Sequence, residues 1–282
     1  MKRAPHITGK QIEILRLLYT YRFLHRIQLQ QFLRHKDYKT INLWLRDLTA
    51  KQYVHRIYST HFLERTKPAV YYLNTQAIRY LKNLRSPEDD EPLYEIEQLR
   101  KRYKDGQRST MFIDRCLLIA DCQLRLMHAS SSLSSTYTGI VQADYLDERS
   151  DYNFLCDLDT LRPDMLIVQR TGEDITAHYL LQFIDPHVPQ KRIRAIINGY
   201  FTVLNNYQWY GDDPLPTVLL VLPDTYTLIY TKRRIRQLIR EANIYVDDAT
   251  DDTHIRCTTQ QHLKEQGITA TIWEEGRTVY GL

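Results

Sequence analysis

The residues whose types best suit recognition chemistry lie on one predicted helix near the start of the sequence. Apolar residues at helical spacing predict a helix over about residues 38–50, with a buried face formed by Ile41, Trp44, Leu45 and Leu48. The positions left off that face include Lys39, Thr40, Asn42, Leu43 and Arg46. Asparagine and arginine side chains can each make two hydrogen bonds to the edges of adenine and guanine, respectively. This helix is therefore a candidate for reading the major groove of duplex DNA.

Further cations flank the helix at positions suited to phosphate contacts, which orient a protein on DNA without reading its sequence. They are Lys36, Arg56, Arg65 and Lys67. The alternative interpretation treats helix and cations together as the solvated face of a protein–protein module. The charge of the region favours DNA.

Charge is divided unevenly along the 282 residues. Residues 1–85 contain 17 Lys/Arg and four Asp/Glu, a net charge of +13, whereas the remainder contains 21 and 30, a net charge of −9. This division predicts two units with different partners, the first suited to a polyanion. Charge alone would also fit RNA or an anionic membrane surface, so the fold has to discriminate.

The element order of residues 1–85 predicts a winged helix-turn-helix. Thr8 and Gln11 have the spacing of a capping box, which predicts where the first helix begins. A short helix over about 25–33, with Ile27, Leu29 and either Phe32 or Leu33 buried, precedes the helix over 38–50, and two strand-like runs and a fourth helix follow. In this fold the third helix lies in a major groove and the strand hairpin, the wing, reaches flanking backbone.

An acidic, proline-bracketed segment over residues 86–92 predicts a domain boundary. We expect an acidic linker and a connecting helix over 86–108 and a second, α/β domain over 109–282. In that domain a long helix is followed by three strand candidates, a helix and a buried strand over 217–222. This is the core order of the restriction-endonuclease-like fold.

The second domain carries a family resemblance in three short motifs. Arg162-Pro163-Asp164 opens one strand, Leu181-Gln182-Phe183-Ile184-Asp185 ends the next, and a Lys/Arg-rich helix ends near Tyr200. Together with the predicted winged helix, these motifs resemble the replication-relaxation family of plasmids and other mobile elements, over about residues 8–240. The resemblance implies a winged helix joined to a restriction-endonuclease-like (PD-(D/E)xK-type) domain, with a role in DNA relaxation or in plasmid replication and transfer.

The resemblance also implies an active site, which this sequence matches only in part. In such sites an aspartate after a proline and an acid on the next strand hold a divalent metal, and a lysine helps to activate water. Asp164 matches the first position, but Gln182 stands at the second, so that Asp185 would have to replace it and Lys191 would have to supply the positive charge. Glutamine binds a hard cation more weakly than a carboxylate does. We therefore expect a degenerate, catalytically inert domain without a cofactor. If the site were active, Asp164 and Asp185 would bind Mg²⁺.

Three functions follow as hypotheses. The first is a duplex DNA-binding accessory factor in plasmid or mobile-element DNA processing, whose second domain provides another contact or a surface for protein partners. The second is a Mg²⁺-dependent endonuclease or nickase, and the third is a transcriptional regulator that acts as a homodimer. Nothing in the sequence sets the stoichiometry.

Other classes of protein are disfavoured. No apolar run is long enough to cross a bilayer, and the first residues do not form a signal peptide, so we expect a cytoplasmic protein without a membrane partner. The four cysteines form no C-x-x-C pair, which predicts buried thiols. The sequence also lacks the phosphate-binding and serine-nucleophile motifs that nucleotide hydrolysis and serine-hydrolase chemistry require.

Overall fold

The computed structural model describes residues 7–58, 67–86, 90–130, 135–156, 161–205, 209, 214–241, 254–275 and 278–280. Two compact units contain these residues. Unit 1 consists of Met1–Leu124 with Leu146–Ser150, and unit 2 of Arg125–Tyr145 with Asp151–Leu282. Both units combine helices with a sheet, so the fold class is α+β, as predicted at that level. Among the described residues, no helix has the length and apolar character needed to cross a membrane.

Unit 1 combines five α-helices and the first part of a sixth with a small three-stranded sheet, whose first strand lies between the first two helices. The elements are α1 (Gly9–Tyr21), β1 (Leu24–His25), α2 (Arg26–Phe32), α3 (Tyr38–Ala50), β2 (Val54–Ile57), β3 (Val70–Leu73), α4 (Thr75–Lys82) and α5 (Ile96–Arg102). The strand order of the sheet is β1-β3-β2, and both pairings are antiparallel. The two-residue strand β1 was not predicted, because two residues cannot show an alternating pattern.

The start of α1 confirms the predicted capping box. The Thr8 side chain accepts a hydrogen bond from the Gln11 backbone N–H, and the Gln11 side chain accepts one from the Thr8 N–H. The Gln11 Nε2 also donates to Asp47 Oδ2 over 2.6 Å, which links α1 to α3. Gln11 thus both caps α1 and links α1 to α3.

The prediction for α2 was correct in position but only partly correct for its buried residues. Phe32 and Leu33, one of which was predicted to be buried, are both half-buried. Ile27, predicted to be buried, is 42% exposed, whereas Leu29 is buried as expected. Gln28 is buried instead, and its Nε2 donates to the Leu117 carbonyl and to Asp121 Oδ1 over 2.9 and 2.7 Å. These acceptors compensate the cost of burying an amide, and their positions cannot be read from the local sequence.

The segment predicted as a linker and connecting helix over 86–108 belongs entirely to unit 1. Arg102 of α5 is buried, and its Nε donates to the Tyr19 carbonyl of α1 over 3.1 Å. Asp105, also buried, accepts a hydrogen bond from Arg22 Nε over 3.1 Å. These contacts attach the segment to α1, and the boundary between the units falls within the next helix, after Leu124.

Unit 2 is built on a seven-stranded mixed sheet. Its elements are the end of α6 (Thr110–Ala129), β4 (Ser135–Val141), α7 (Gln142–Tyr145), β5 (Met165–Thr171), β6 (Asp174–Phe183), α8 (Gln190–Asn205), β7 (Thr217–Leu222), α9 (Thr225–Glu241), β8 (Ile255–Thr259), α10 (Gln260–Gln266), β9 (Trp273–Glu275) and β10 (Thr278–Tyr280). The strand order is β10-β9-β8-β7-β6-β5-β4. Strands β4, β5 and β6 pair in antiparallel fashion, whereas β6, β7 and β8 are parallel.

Strand β7 lies at the centre of this sheet and is buried at all six positions. Burial on both faces explains its unbroken apolar sequence, which predicted a buried strand with the observed bounds. The described cysteine side chains, those of Cys116, Cys122 and Cys257, are buried, as predicted. Burial raises the pKa of the Cys257 thiol to about 12.

Candidate nucleic-acid interface

Helix α3 presents four predicted recognition residues on one exposed face. Its buried side chains are Ile41, Leu45 and Leu48. Lys39, Asn42, Leu43 and Arg46 are exposed, at the i, i+3, i+4 and i+7 positions of one helical stripe. We call these four residues the α3 face. Leu43 is 52% exposed, which is unusual for leucine and suits contact with a thymine methyl group.

Asp37 sets the start of this helix. Its carboxylate accepts hydrogen bonds from the backbone N–H groups of Lys39 and Thr40 over 2.9 and 3.0 Å. The Thr40 hydroxyl donates to the same carboxylate over 2.6 Å. The hydrogen bond from the Thr40 side chain, followed by that from the Lys39 backbone, lowers the pKa of Asp37. Thr40, predicted to contact DNA, therefore already uses its hydroxyl to cap the helix.

Three cations of this region are not neutralised within the described part of the chain. Lys36, Lys39 and Arg46 are exposed and form no ion pair with any described residue. The acid of α3 itself, Asp47, pairs with Lys51 over 2.7 Å. The hydrogen bond from Lys51 lowers the Asp47 pKa. The α3 face thus keeps its positive charge available for a partner.

The sheet of unit 1 adds two of the predicted phosphate contacts. Arg56 of β2 is exposed, and its guanidinium lies 4.9 Å from the ring centroid of Tyr58. Lys67, shortly before β3, is also exposed. Arg65 lies outside the described residues.

One further feature next to the α3 face was not predicted. Tyr38, the first residue of α3, is 51% exposed, and the Arg26 guanidinium lies 5.5 Å from its ring centroid. An aromatic ring and an arginine side by side suit contact with sugar and phosphate. Tyr38 is exposed because it is the first residue of α3, directly after the cap. The apolar spacing along the helix does not predict exposure at that position.

In unit 2, Asp164 and Gln182 are brought together by strand pairing. Met165 pairs with Leu181 in the antiparallel β5–β6 register, so that Asp164 and Gln182 stand opposite each other one step further along. Asp164 is 6% exposed. Its Oδ2 accepts hydrogen bonds from the Phe183 N–H over 2.8 Å and from Gln182 Nε2 over 3.1 Å.

Tyr200 of α8 completes this buried group, which we call the Asp164 cluster (Asp164, Gln182 and Tyr200). The Tyr200 hydroxyl donates to Gln182 Oε1 over 3.1 Å. Because a carboxylate only accepts hydrogen bonds, the amide nitrogen of Gln182 has to face Asp164. Burial, reinforced by the charge of Asp164, raises the pKa of Tyr200 well above its ordinary value. The sequence predicted the helix of Tyr200 but not the partner of its hydroxyl.

This cluster does not fit a divalent cation. Asp164 Oδ2 already accepts hydrogen bonds from the Gln182 amide and the Phe183 N–H, and the residue opposite it is a neutral amide, a weaker ligand for a hard cation than a carboxylate. Asp185 lies beyond the end of β6 and is half-buried, while Lys191 is exposed on α8 and forms no hydrogen bond or ion pair with a described residue. Within the described ranges, no group of three or more His, Cys, Asp or Glu residues could hold a metal ion.

Comparison with known proteins identifies the class to which this chain belongs. The replication-relaxation family matches residues 15–211, more than half of the chain. The chain therefore belongs to the replication-relaxation family, and the resemblance stated from the sequence is confirmed. Neither curated proteins nor solved structures gave a match. Family membership points to a role in the processing of plasmid or mobile-element DNA.

Proposed function

We propose that this protein is a duplex DNA-binding accessory factor in plasmid or mobile-element DNA processing. In this proposal unit 1 is a winged helix-turn-helix domain. Its α3 face enters a major groove, and the β2–β3 hairpin contacts flanking phosphates. Lys36, Arg56, Arg65 and Lys67 act as the phosphate contacts.

The observation that carries this proposal is the α3 face itself. Helix α3 buries one side in the core of unit 1 and leaves on the other side two cations, an amide and a leucine without a partner among the described residues. Two unpaired cations on a stripe about 10 Å long, at 1.5 Å per residue, contribute nothing to folding but complement a polyanion. Asn42 and Arg46 add the bidentate geometry that base edges require.

We further propose that unit 2 is a degenerate restriction-endonuclease-like domain that provides a second contact or a partner surface. Support comes from the order of its elements, with antiparallel β4, β5 and β6 followed by helix α8 and parallel β7. Support for an inert site comes from the Asp164 cluster, in which an amide and a backbone N–H occupy the carboxylate. No cofactor enters this proposal.

The proposal is tested with Lys39→Gln/Arg46→Gln in the full chain. Each lost phosphate or base contact removes binding free energy, so we expect affinity for duplex DNA to fall about ten- to a hundredfold near 0.1 M salt. The slope of log K against log salt should become about one to two units shallower. Fluorescence anisotropy of a labelled duplex over a salt series measures both quantities.

Arg79→Gln/Lys82→Gln is the matched control. It removes the same charge from exposed positions of α4, where the two cations likewise form no ion pair with a described residue. The control should bind nearly as tightly as the unaltered protein. Equal losses of affinity in both variants would show that the effect comes from net charge alone. Unchanged binding in the α3 variant would exclude α3 from the interface.

A further inference from the structure

Basic residues in unit 2 are concentrated on two neighbouring helices. Helices α8 and α9 together contain eight Lys/Arg and one Glu, a net charge of +7. Residues 86–282 as a whole have a net charge of −9, so the remainder of this region has a net charge of −16. Positive charge is therefore segregated onto α8 and α9 in an otherwise acidic region.

The exposed side of α9 forms a continuous stripe. Tyr226, Ile229, Arg233, Arg236 and Arg240 recur at helical spacing and are all exposed. The buried side chains Leu228, Thr231 and Ile235 lie on the opposite side of the helix. Tyr226 is 73% exposed and Ile229 is 47% exposed, so the stripe also offers apolar surface to a partner.

Helix α8 extends this stripe. Arg194 Nε donates to the Tyr230 hydroxyl of α9 over 2.6 Å, which brings the two helices together. Tyrosine is neutral, so Arg194 keeps its charge. Lys191, three residues before Arg194, is exposed on the same side of α8.

We call Lys191, Arg194, Arg233, Arg236 and Arg240 the α8–α9 basic surface. None of the five forms an ion pair with a described residue. Their neighbours differ, since Lys232 pairs with Glu274 over 2.7 Å and Arg234 with Glu241 over 3.6 Å. Like charges three and four residues apart, as at 233, 236 and 240, destabilise a helix. A polyanion would relieve that repulsion, and folding alone does not account for it.

We propose that the α8–α9 basic surface is a second DNA-contacting site that binds the phosphodiester backbone. The three unpaired cations of α9 are all arginines, whose planar guanidinium matches phosphate geometry better than lysine does. The site rests on the proposed function and locates the second contact of unit 2. The three arginines of α9 lie beyond residue 211, where the family match ends, whereas Lys191 and Arg194 of α8 lie within it.

The test uses the full chain with Arg233→Gln/Arg236→Gln/Arg240→Gln. Three lost phosphate contacts should weaken binding to duplex DNA at least tenfold near 0.1 M salt and make the salt slope shallower by about two to three units. The variant with lysine at the same three positions should retain most of the affinity for duplex DNA and most of the salt slope. Because all three side chains are exposed, thermal unfolding should be nearly unchanged, which separates a binding defect from misfolding.

The matched control removes three exposed cations elsewhere, as Arg79→Gln/Lys82→Gln/Lys264→Gln. If the unaltered protein binds DNA and the α9 variant equals this control, the second site is refuted while the α3 interface stands. If the unaltered protein does not bind DNA at all, both proposals fail.

Parallel measurements with single-stranded DNA and with anionic phosphatidylserine vesicles identify the ligand. A loss on both duplex and single strand supports backbone contact in either form, and a loss on one alone assigns the site to that form of DNA. A loss of vesicle binding without a loss of DNA binding would overturn the proposal in favour of a membrane surface.

Discussion

The α3 face of unit 1 and the Asp164 cluster of unit 2 use their polar side chains in opposite ways. On the α3 face the polar groups are exposed, and Lys39 and Arg46 have no acidic partner among the described residues. In the Asp164 cluster the carboxylate, the amide and the phenol are hydrogen-bonded to one another and to the backbone. Groups left available can bind a ligand, whereas groups satisfied internally stabilise the fold.

Asp164, the residue that the sequence suggested as a metal ligand, is one of the internally satisfied groups. The strand opposite presents an amide, that of Gln182, which donates a hydrogen bond to the aspartate. An acid at that position would place two carboxylates together, which requires a cation between them or protonation of one of them. Gln182 instead offers Asp164 a neutral hydrogen-bond donor, so the pair needs no further charge.

The largest effect is expected from Asp164→Ala. This change removes the acceptor of the buried Phe183 N–H and one of two acceptors of the half-buried Gln182 amide, at a cost of about 3 kcal/mol of unfolding free energy. Urea unfolding measures it. Asp164→Asn, which keeps one acceptor oxygen, should lose less. Plasmid nicking that needs Mg²⁺ and disappears in Asp164→Ala would show instead that the cluster is catalytic.

Smaller effects are expected on DNA binding by unit 1, where loss of a base contact and loss of a phosphate contact should have different consequences. Asn42→Ala should lower discrimination between DNA sequences by about 1–3 kcal/mol and leave the salt slope unchanged. Lys36→Gln should weaken all sequences alike and reduce the slope by about one unit. Binding measured on a panel of duplexes at several salt concentrations provides both results. The same response from both variants would contradict the assignment of their roles.

Tyr200→Phe tests the other end of the Asp164 cluster. The Gln182 oxygen would lose its donor, at a cost of about 1 kcal/mol in urea unfolding. The raised Tyr200 pKa also predicts a pH dependence. The folded state retains the phenol proton more strongly than the unfolded state, so this contribution is complete below about pH 10 and is lost as pH rises further.

The control for that pH dependence is Tyr58→Phe in unit 1, an exposed tyrosine. It should leave stability nearly unchanged at neutral pH. If Tyr200→Phe retained the alkaline loss of stability in full, the loss would have another source.

The smallest effect is expected at His25 of unit 1, whose side chain, like those of the Asp164 cluster, is hydrogen-bonded within the fold. His25 caps α2 by accepting a hydrogen bond from the Gln28 N–H at its Nδ1 over 3.2 Å, which requires the neutral ring. Burial lowers its pKa from the ordinary value. The unfolded state therefore binds the proton more readily, and stability is complete above about pH 6.5 and falls as pH decreases below it.

His25→Asn replaces this cap with one that does not titrate in that range. The variant should lose less melting temperature between pH 7.5 and pH 5.5 than the unaltered protein, by about 2–4 °C, which corresponds to about 1 kcal/mol. Differential scanning fluorimetry at the two pH values is sufficient. An equal loss in both proteins would place the acid sensitivity elsewhere.

Local signals in the sequence predicted much of the fold. The capping box of α1, the bounds of α3 and the buried strand β7 were all correct, because each follows from neighbouring residues on one helix or strand. The place of the 86–108 segment in unit 1 was not predicted. It depends on Arg102 and Asp105 reaching α1, more than eighty residues earlier in the chain.

Of the candidate sites, one likewise follows from local sequence and the other depends on tertiary structure. Exposure of the α3 face follows from amphipathic spacing alone. The sequence showed that α8 is rich in lysine and arginine, but it did not predict one basic surface with α9, because only the packing of the two helices brings their cations together.

The sequence by itself determined which residue types this protein can offer to a partner and, through helical periodicity, which of them face outward on a single helix. Only the tertiary structure decided which polar groups meet across elements. It placed Asp164 opposite Gln182 and brought the Tyr200 hydroxyl to the Gln182 amide oxygen, and it kept Lys39 and Arg46 apart from any described acid. The physical reason is that hydrogen bonds and ion pairs act over a few ångströms, and strand register and helix packing alone bring distant residues that close.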